Sequence, residues 1–204
     1  MIEARHRKRL MSVLAATTFA GALLAGGAVS AATNAPAAGA GASATAARGT
    51  ATAPARGGTV RFTAYANDDL PGATVVLTGA IGDFGAGASV LPNGTIDPEH
   101  TSELNLALTQ GSFRILIGPL HAKLVQAFTH FKPDPRTCSG HVAVTGAAPV
   151  VTGSGTGSYK GIRGDFTLTI SVNEVDGQST CHNGPAVLFA QALFIVGSGA
   201  ISFG

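Results

Sequence analysis

Between Gly153 and Gly164 the chain reads GSGTGSYKGIRG, five glycines in twelve residues, with Lys160 and Arg163 near its end. A glycine loop with cations can cradle a phosphate if it opens a helix, so that backbone N–H groups face the anion. Strand-like sequence follows Gly164, and neither a GxGxxG nor a GxxxxGK[ST] pattern fits the stretch. In an extended chain Gly153, Gly155, Gly157, Tyr159, Gly161 and Arg163 would share one face. Three successive bare positions let a strand bend and leave room for a large neighbour against the backbone. Tyr159 would then end the bare groove, either as an aromatic cover over the glycines or as a hydroxyl pointing into a pocket.

Other residue types that could do chemistry are sparse. Cys138 and Cys181 are the two cysteines. In an exported chain an even count makes them a disulfide, worth roughly 4 kcal/mol in the chain-entropy model. The alternative, a metal at Cys181-His182 with His100, His121, His130 and His141, lacks zinc-finger or zincin spacing. His121 and His130 would also face opposite sides of one regular strand. No metal and no cofactor are expected. Asp83-Phe84-Gly85 spells a kinase magnesium motif, but in a short all-β domain it reads as a turn between strands. No GxSxG elbow occurs. Asp68 and Asp69 are adjacent in a loop, unlike carboxylates that must flank a sugar at a set separation. Asn93-Gly94-Thr95 matches a glycosylation sequon, although a hairpin turn after Pro92 accounts for it. With no Trp and only Tyr65 and Tyr159, a stacking platform for sugars or single strands is thin.

The elements that must position these residues have a two-residue period. Phe166, Leu168, Ile170 and Val172 alternate with Thr167, Thr169, Ser171 and Asn173, and Leu104, Leu106 and Leu108 alternate likewise. Further strands are expected over Thr59–Ala66, Thr74–Ala80, Ser112–Ile117, Ala122–Phe131, His141–Thr145 and Val187–Val196. Turn signals such as Leu70-Pro71-Gly72, Pro92-Asn93-Gly94 and Lys132-Pro133-Asp134-Pro135 separate them. No helical stripe is expected in the domain. The pattern predicts an all-β fold, a single antiparallel β-barrel of about eight strands or a sandwich.

The N-terminal part has a different composition. Arg5, Arg7, Lys8 and Arg9 precede a nearly uncharged run from Leu10 to Ser30, then small residues. This is the pattern of a signal peptide over residues 1–31, cleaved after Ser30 or Ala31. An uncleaved anchor is the alternative, since ~20 apolar residues span a bilayer. No cysteine near the cleavage point is available for lipid attachment. Residues 32–57 are Ala, Gly, Thr and Pro with two arginines, a segment expected to be a disordered linker. The barrel domain is then 58–204, where seven cations against ten anions leave −3. That sign, with scattered cations, excludes a nucleic-acid footprint.

GSGTGSYKGIRGDFTLT, with VVLTGAIGDFG and LNLALTQGSFRILI, resembles a group of secreted actinobacterial proteins related to the allene oxide cyclase and dirigent barrel superfamily. The three segments cover about a third of the domain. The resemblance implies an eight-stranded antiparallel barrel with an apolar cavity, dimers or trimers, and cavities that bind small hydrophobic molecules and steer cyclisation or radical coupling. Tyr159, Arg163 and Asp165 lie in or beside the shared motif and are its candidate ligand-binding residues. For Arg163 and Asp165 a surface ion pair at a turn is the simpler alternative.

Three classes stay open. A secreted barrel binding a small hydrophobic molecule in its lumen ranks first, ahead of a structural or self-assembling envelope-associated barrel with a filled interior. Both rank ahead of a cyclase or dirigent-like enzyme, which would add a hydrogen-bonding or ionisable cluster at the cavity floor or mouth.

Overall fold

A computed structural model describes residues 57–67, 72–97, 100–181 and 187–204. The leader expected over 1–31 and the linker over 32–57 lie outside the described residues except for Gly57.

Eight strands make one antiparallel sheet: β1 (Gly58–Asn67), β2 (Ala73–Gly79), β3 (Asp83–Val90), β4 (Glu103–Leu108), β5 (Gly111–Leu116), β6 (Ser139–Pro149), β7 (Ile162–Asp176) and β8 (Leu188–Phe203). Their order is β5-β4-β3-β2-β1-β8-β7-β6, so the last strand of the chain lies beside the first. The sheet curls into a barrel whose two ends in this order, β5 and β6, share no ladder. An isolated bridge between Ile115 and Val150 joins them.

The alternation expected for Phe166 to Val172 is present, with all four apolar side chains buried and facing inward. What lets them pack lies on β8. Phe62 of β1 and Leu168 of β7 are both Cα partners of Gly197, while Val60 and Phe166 are both partners of Gly199. The absent side chains leave space that Phe62 and Phe166 occupy, their rings 6.0 Å apart edge to face. The inward side chains join into one buried cluster that includes Val60, Leu77, Leu106, Phe113 and Ile115.

Two expected elements are corrected. Ala122–Phe131 is not a strand; Gly118–Phe128 is a helix, α1, with Pro119 in its first turn. Leu120, Leu124 and Phe128 fall every four residues and make its buried stripe. Leu120 packs near Gly146, and the Lys123 ammonium donates to the Thr145 carbonyl (3.4 Å), so α1 lies against β6. His121 and His130 therefore do not share a strand. The Asp83-Phe84-Gly85 stretch is no turn either, since it opens β3.

The disulfide is present. Cys138 and Cys181, 43 positions apart in the sequence, are joined, with Cα atoms 5.8 Å apart. Cys138 precedes β6, and Cys181 ends the single-turn helix α2 (Gln178–Cys181) after β7. Cys138 holds a left-handed backbone (φ 54°), costly for a side-chain-bearing residue. Its N–H donates to the Asp134 carbonyl, and its own carbonyl accepts from the Asp176 N–H.

A Cβ on Gly199 would meet the Asp165 carbonyl oxygen at 2.2 Å and the Phe166 ring at 2.7 Å. Gly199→Ala is expected to cost about 1–3 kcal/mol in urea unfolding. Gly82→Ala, with nothing within 4 Å of the new carbon, should be neutral or stabilise by about 0.4–1 kcal/mol.

Candidate functional site

The glycine stretch is not a strand before Ile162, where β7 begins. Gly153, Gly157 and Gly161 adopt positive φ (76°, 56° and 78°), and Gly157–Tyr159 forms a 3-10 turn. A positive φ reverses the chain locally, so the two-residue parity expected across Gly153–Arg163 does not hold. The close backbone approach expected of glycine is present, because a Cβ on Gly157 would sit 2.4 Å from the Gln110 carbonyl oxygen.

This segment covers the free side of β5. The Val151 N–H donates to the Arg114 carbonyl (2.8 Å), the Thr156 N–H to the Ser112 carbonyl (2.8 Å) and the Ser158 N–H to the Gln110 carbonyl (2.9 Å). Side chains add to the seam: the Arg114 N–H donates to Ser154 Oγ (2.9 Å) and the Ser112 N–H to Thr156 Oγ1 (3.0 Å). An irregular glycine-rich chain thus replaces the missing strand ladder and satisfies an edge that would otherwise stay open.

Tyr159 anchors it. Its ring is buried against Phe113, centroids 5.2 Å apart, and its hydroxyl donates to Asp83 Oδ2 at 2.5 Å. Asp83 is the first residue of β3, with its side chain buried. Its Oδ1 accepts from the Phe84 N–H (2.8 Å), the Thr109 hydroxyl (2.5 Å) and the Thr109 N–H (3.3 Å). Its Oδ2 also accepts from the Gln110 N–H at 3.1 Å. One carboxylate therefore joins β3, the β4–β5 turn and the segment after β6.

The titration behaviour follows from these contacts. Burial works to raise the Asp83 carboxyl, but the hydrogen bonds from Thr109, Tyr159, Phe84 and Gln110 outweigh it and hold the group below its ordinary value. Burial first, then the hydrogen bond to Asp83 and its charge, push the Tyr159 phenol far above its usual range. A carboxylate so fully engaged by donors, facing a phenol that does not ionise near neutrality, makes an anchor rather than an acid–base pair.

Arg163 and Asp165 are exposed on the outer side of β7, while Tyr159 is buried. The chain brings the three candidates within seven residues without bringing their side chains together. Arg163 and Asp165 also form no ion pair with each other among the described residues. An ion pair lies on β4 and β5, where Arg114 Nη1 donates to Glu103 Oε2 at 2.7 Å and to the Pro92 carbonyl at 2.7 Å.

A second polar group sits at the opposite end of the barrel. Glu174 and Asp176 of β7 and Gln191 of β8 are buried, and Gln191 Nε2 donates to Glu174 Oε2 at 3.2 Å. They lie beside the disulfide, since the Asp176 N–H donates to the Cys138 carbonyl. The sequence carried a signal for them: the parity that turns Phe166 to Val172 inward continues to Glu174 and Asp176. Among the described residues no group of three His, Cys, Asp or Glu side chains could hold a metal ion. No helix among them is long and apolar enough to cross a membrane.

Comparisons of the chain with protein-family models, characterised proteins and solved structures find no match.

The Asp83 anchor predicts a pH dependence. The native carboxyl titrates below the unfolded value near ~4, so its stabilisation is present above that pH and is lost as pH falls through the folded value. Asp83→Asn is expected to cost about 2–4 kcal/mol at pH 7 and to flatten the loss of stability between pH 5 and 2, read from urea midpoints. Tyr159 runs the other way. Its stabilisation is present below ~10 and falls as pH rises above it. Tyr159→Phe should lack that alkaline limb.

Proposed function

We propose that this chain is exported and works outside the cytoplasm as a structural, self-associating barrel of the allene oxide cyclase/dirigent-like kind. Its interior is filled by its own side chains, and its contacts are made by its outer face. The observation that carries this reading is the inner face itself: its apolar side chains form one buried cluster, and the space left by Gly197 and Gly199 is taken by Leu168 and Phe166. Eight-stranded barrels are of the size that side chains alone can fill. The charged and apolar N-terminal segment supports export, and a disulfide suits an oxidising compartment.

A second reading has a specific observation in its favour. The Glu174–Gln191 pair lies next to Val142 and Leu193, at 8 % exposure each the least covered of the buried apolar side chains. A small hydrophobic molecule with a polar group would be held there in the lumen, and a cyclase or dirigent-like activity would use the same carboxylate. Arg163 and Asp165 lie on the outer face and would not reach such a ligand; Tyr159 is bound to Asp83.

Native mass spectrometry of protein purified from the producing cells separates the two. The filled barrel should show only chain masses. A stoichiometric small molecule that is lost on denaturation would overturn the filled-interior reading and favour the second.

A further inference from the structure

β5 and β6 end the sheet order, and the glycine-rich chain covers the free side of β5. The free side of β6 is different. Which of its main-chain groups are left over follows from the bonds around it. The Val150 N–H donates to the Gly164 carbonyl of β7 (2.9 Å), so the even-numbered residues of β6 turn their main-chain groups toward β7. The odd-numbered ones turn away. Three bonds agree: the Ser139 carbonyl accepts from the Asp134 N–H (2.8 Å), the Thr145 carbonyl accepts from the Lys123 ammonium (3.4 Å), and the Val151 N–H donates across the seam to the Arg114 carbonyl (2.8 Å). Pro149, which has no N–H to offer, falls on the same side, where a strand tolerates proline.

Between those bonds lies an open stretch. Among the described residues the N–H groups of His141, Ala143, Thr145 and Ala147, and the carbonyls of His141, Ala143 and Ala147, have no hydrogen-bond partner. All four residues are exposed. Two of their side chains are held toward β7 rather than over the edge: His141 Nδ1 pairs with Asn173 Oδ1 at 3.0 Å and Thr145 Oγ1 with Thr169 Oγ1 at 2.8 Å. The other two are alanines. Main-chain groups left this way need water or a partner strand. α1 is no such partner, since a helix keeps its main-chain bonds within itself.

We infer that the β6 edge from His141 to Ala147 is the docking site of a partner protein, which adds an extended segment with an acidic side chain as a further strand. The site lies apart from the lumen, so it goes beyond both readings of the interior. In strand addition the main-chain bonds give the affinity and the flanking side chains the choice of partner. The edge is ~20 Å long, enough for a segment of about seven residues.

Charge selects the occupant. α1 and β6 carry one full charge between them, Lys123, whose ammonium stands at the Thr145 carbonyl within the open stretch. Among the described residues Lys123 has no ion pair. A carboxylate on the added strand would draw the ammonium off that carbonyl, which frees an acceptor and forms an ion pair together. A lysine at an edge deters pairing with a like edge, so a second β6 is disfavoured. The chain's own residues 32–57 contain no Asp or Glu and lack the matching charge.

Nuclear magnetic resonance of the purified, oxidised protein tests this. In the free protein the His141, Ala143, Thr145 and Ala147 amides should exchange at least 100-fold faster than the Val142, Val144 and Gly146 amides between them. The probes are pools of end-blocked heptapeptides, random in Ala, Ser, Thr and Val around a fixed central Glu or Lys. The Glu pool should be retained at least tenfold better than the Lys pool, and its retained peptides should shift and protect those four amides. Lys123→Glu should reverse the preference. Ala143→Pro removes an edge N–H and nothing from the β6–β7 ladder, and should weaken retention at least tenfold. If it does not fold, read by circular dichroism, Ala147→Pro takes its place. No retained peptide, an unchanged preference in Lys123→Glu, or shifts confined to other strands would overturn the inference. Edge amides already protected in the free protein would overturn it too. Protection that grows with protein concentration assigns the edge to a second copy, and protection that does not assigns it to the chain's own N-terminal segment.

Discussion

The structure depends on how an eight-stranded sheet is held closed when its two ends do not pair. Curling brings β5 and β6 to a common seam, yet only the Ile115–Val150 bridge links them as strands. The buried Asp83 carboxylate resolves this. It gathers donors from its own strand, from the β4–β5 turn and from Tyr159 beyond β6. Burying a carboxylate is costly unless every lone pair is met, and here the donors from Phe84, Thr109, Gln110 and Tyr159 meet them. With Tyr159 fixed, the glycine-rich chain before it lies along β5 and satisfies main-chain groups that a missing ninth strand would have taken.

The same arrangement decides what the interior holds. Tyr159 and Phe113 fill one end of the barrel, and Phe62 and Phe166 fill the middle over the β8 glycines. α1 adds Leu120, Leu124 and Phe128 against β6. At the far end the Cys138–Cys181 disulfide ties the start of β6 to the chain leaving β7, beside Glu174 and Asp176. Small inward residues set opposite large ones achieve close packing.

Much of the fold was legible in the sequence because most strands here are half-buried and alternate. Phe166 to Val172, Leu104 to Leu108 and Thr59 to Ala66 could be placed from period alone. β3 was hidden because Asp83-Phe84-Gly85-Ala86-Gly87-Ala88 has few β-branched or large residues; β2 and β4 on its flanks hold it in the sheet. α1 was hidden because a window starting at Ala122 omits Leu120, and Leu124 and Phe128 alone do not establish a four-residue stripe. The glycine segment was misread for a different reason. Parity assumes an extended backbone, and the positive φ angles of Gly153, Gly157 and Gly161 break it. Tyr159 was expected either to cover the glycines or to point its hydroxyl into a pocket; its hydroxyl instead binds a buried carboxylate. That partner, Asp83, lies 76 positions away, a separation that local pattern does not reach.

Amide hydrogen exchange across the seam tests the central claim most directly. In wild type the Val151, Thr156 and Ser158 amides should exchange only with global unfolding, as slowly as the β7 and β8 amides. In Tyr159→Phe those three should exchange through a local opening, at least tenfold faster, while β7 and β8 stay protected. If the seam amides keep their protection in that variant, or are unprotected in wild type, the Asp83–Tyr159 bond is not what closes the barrel.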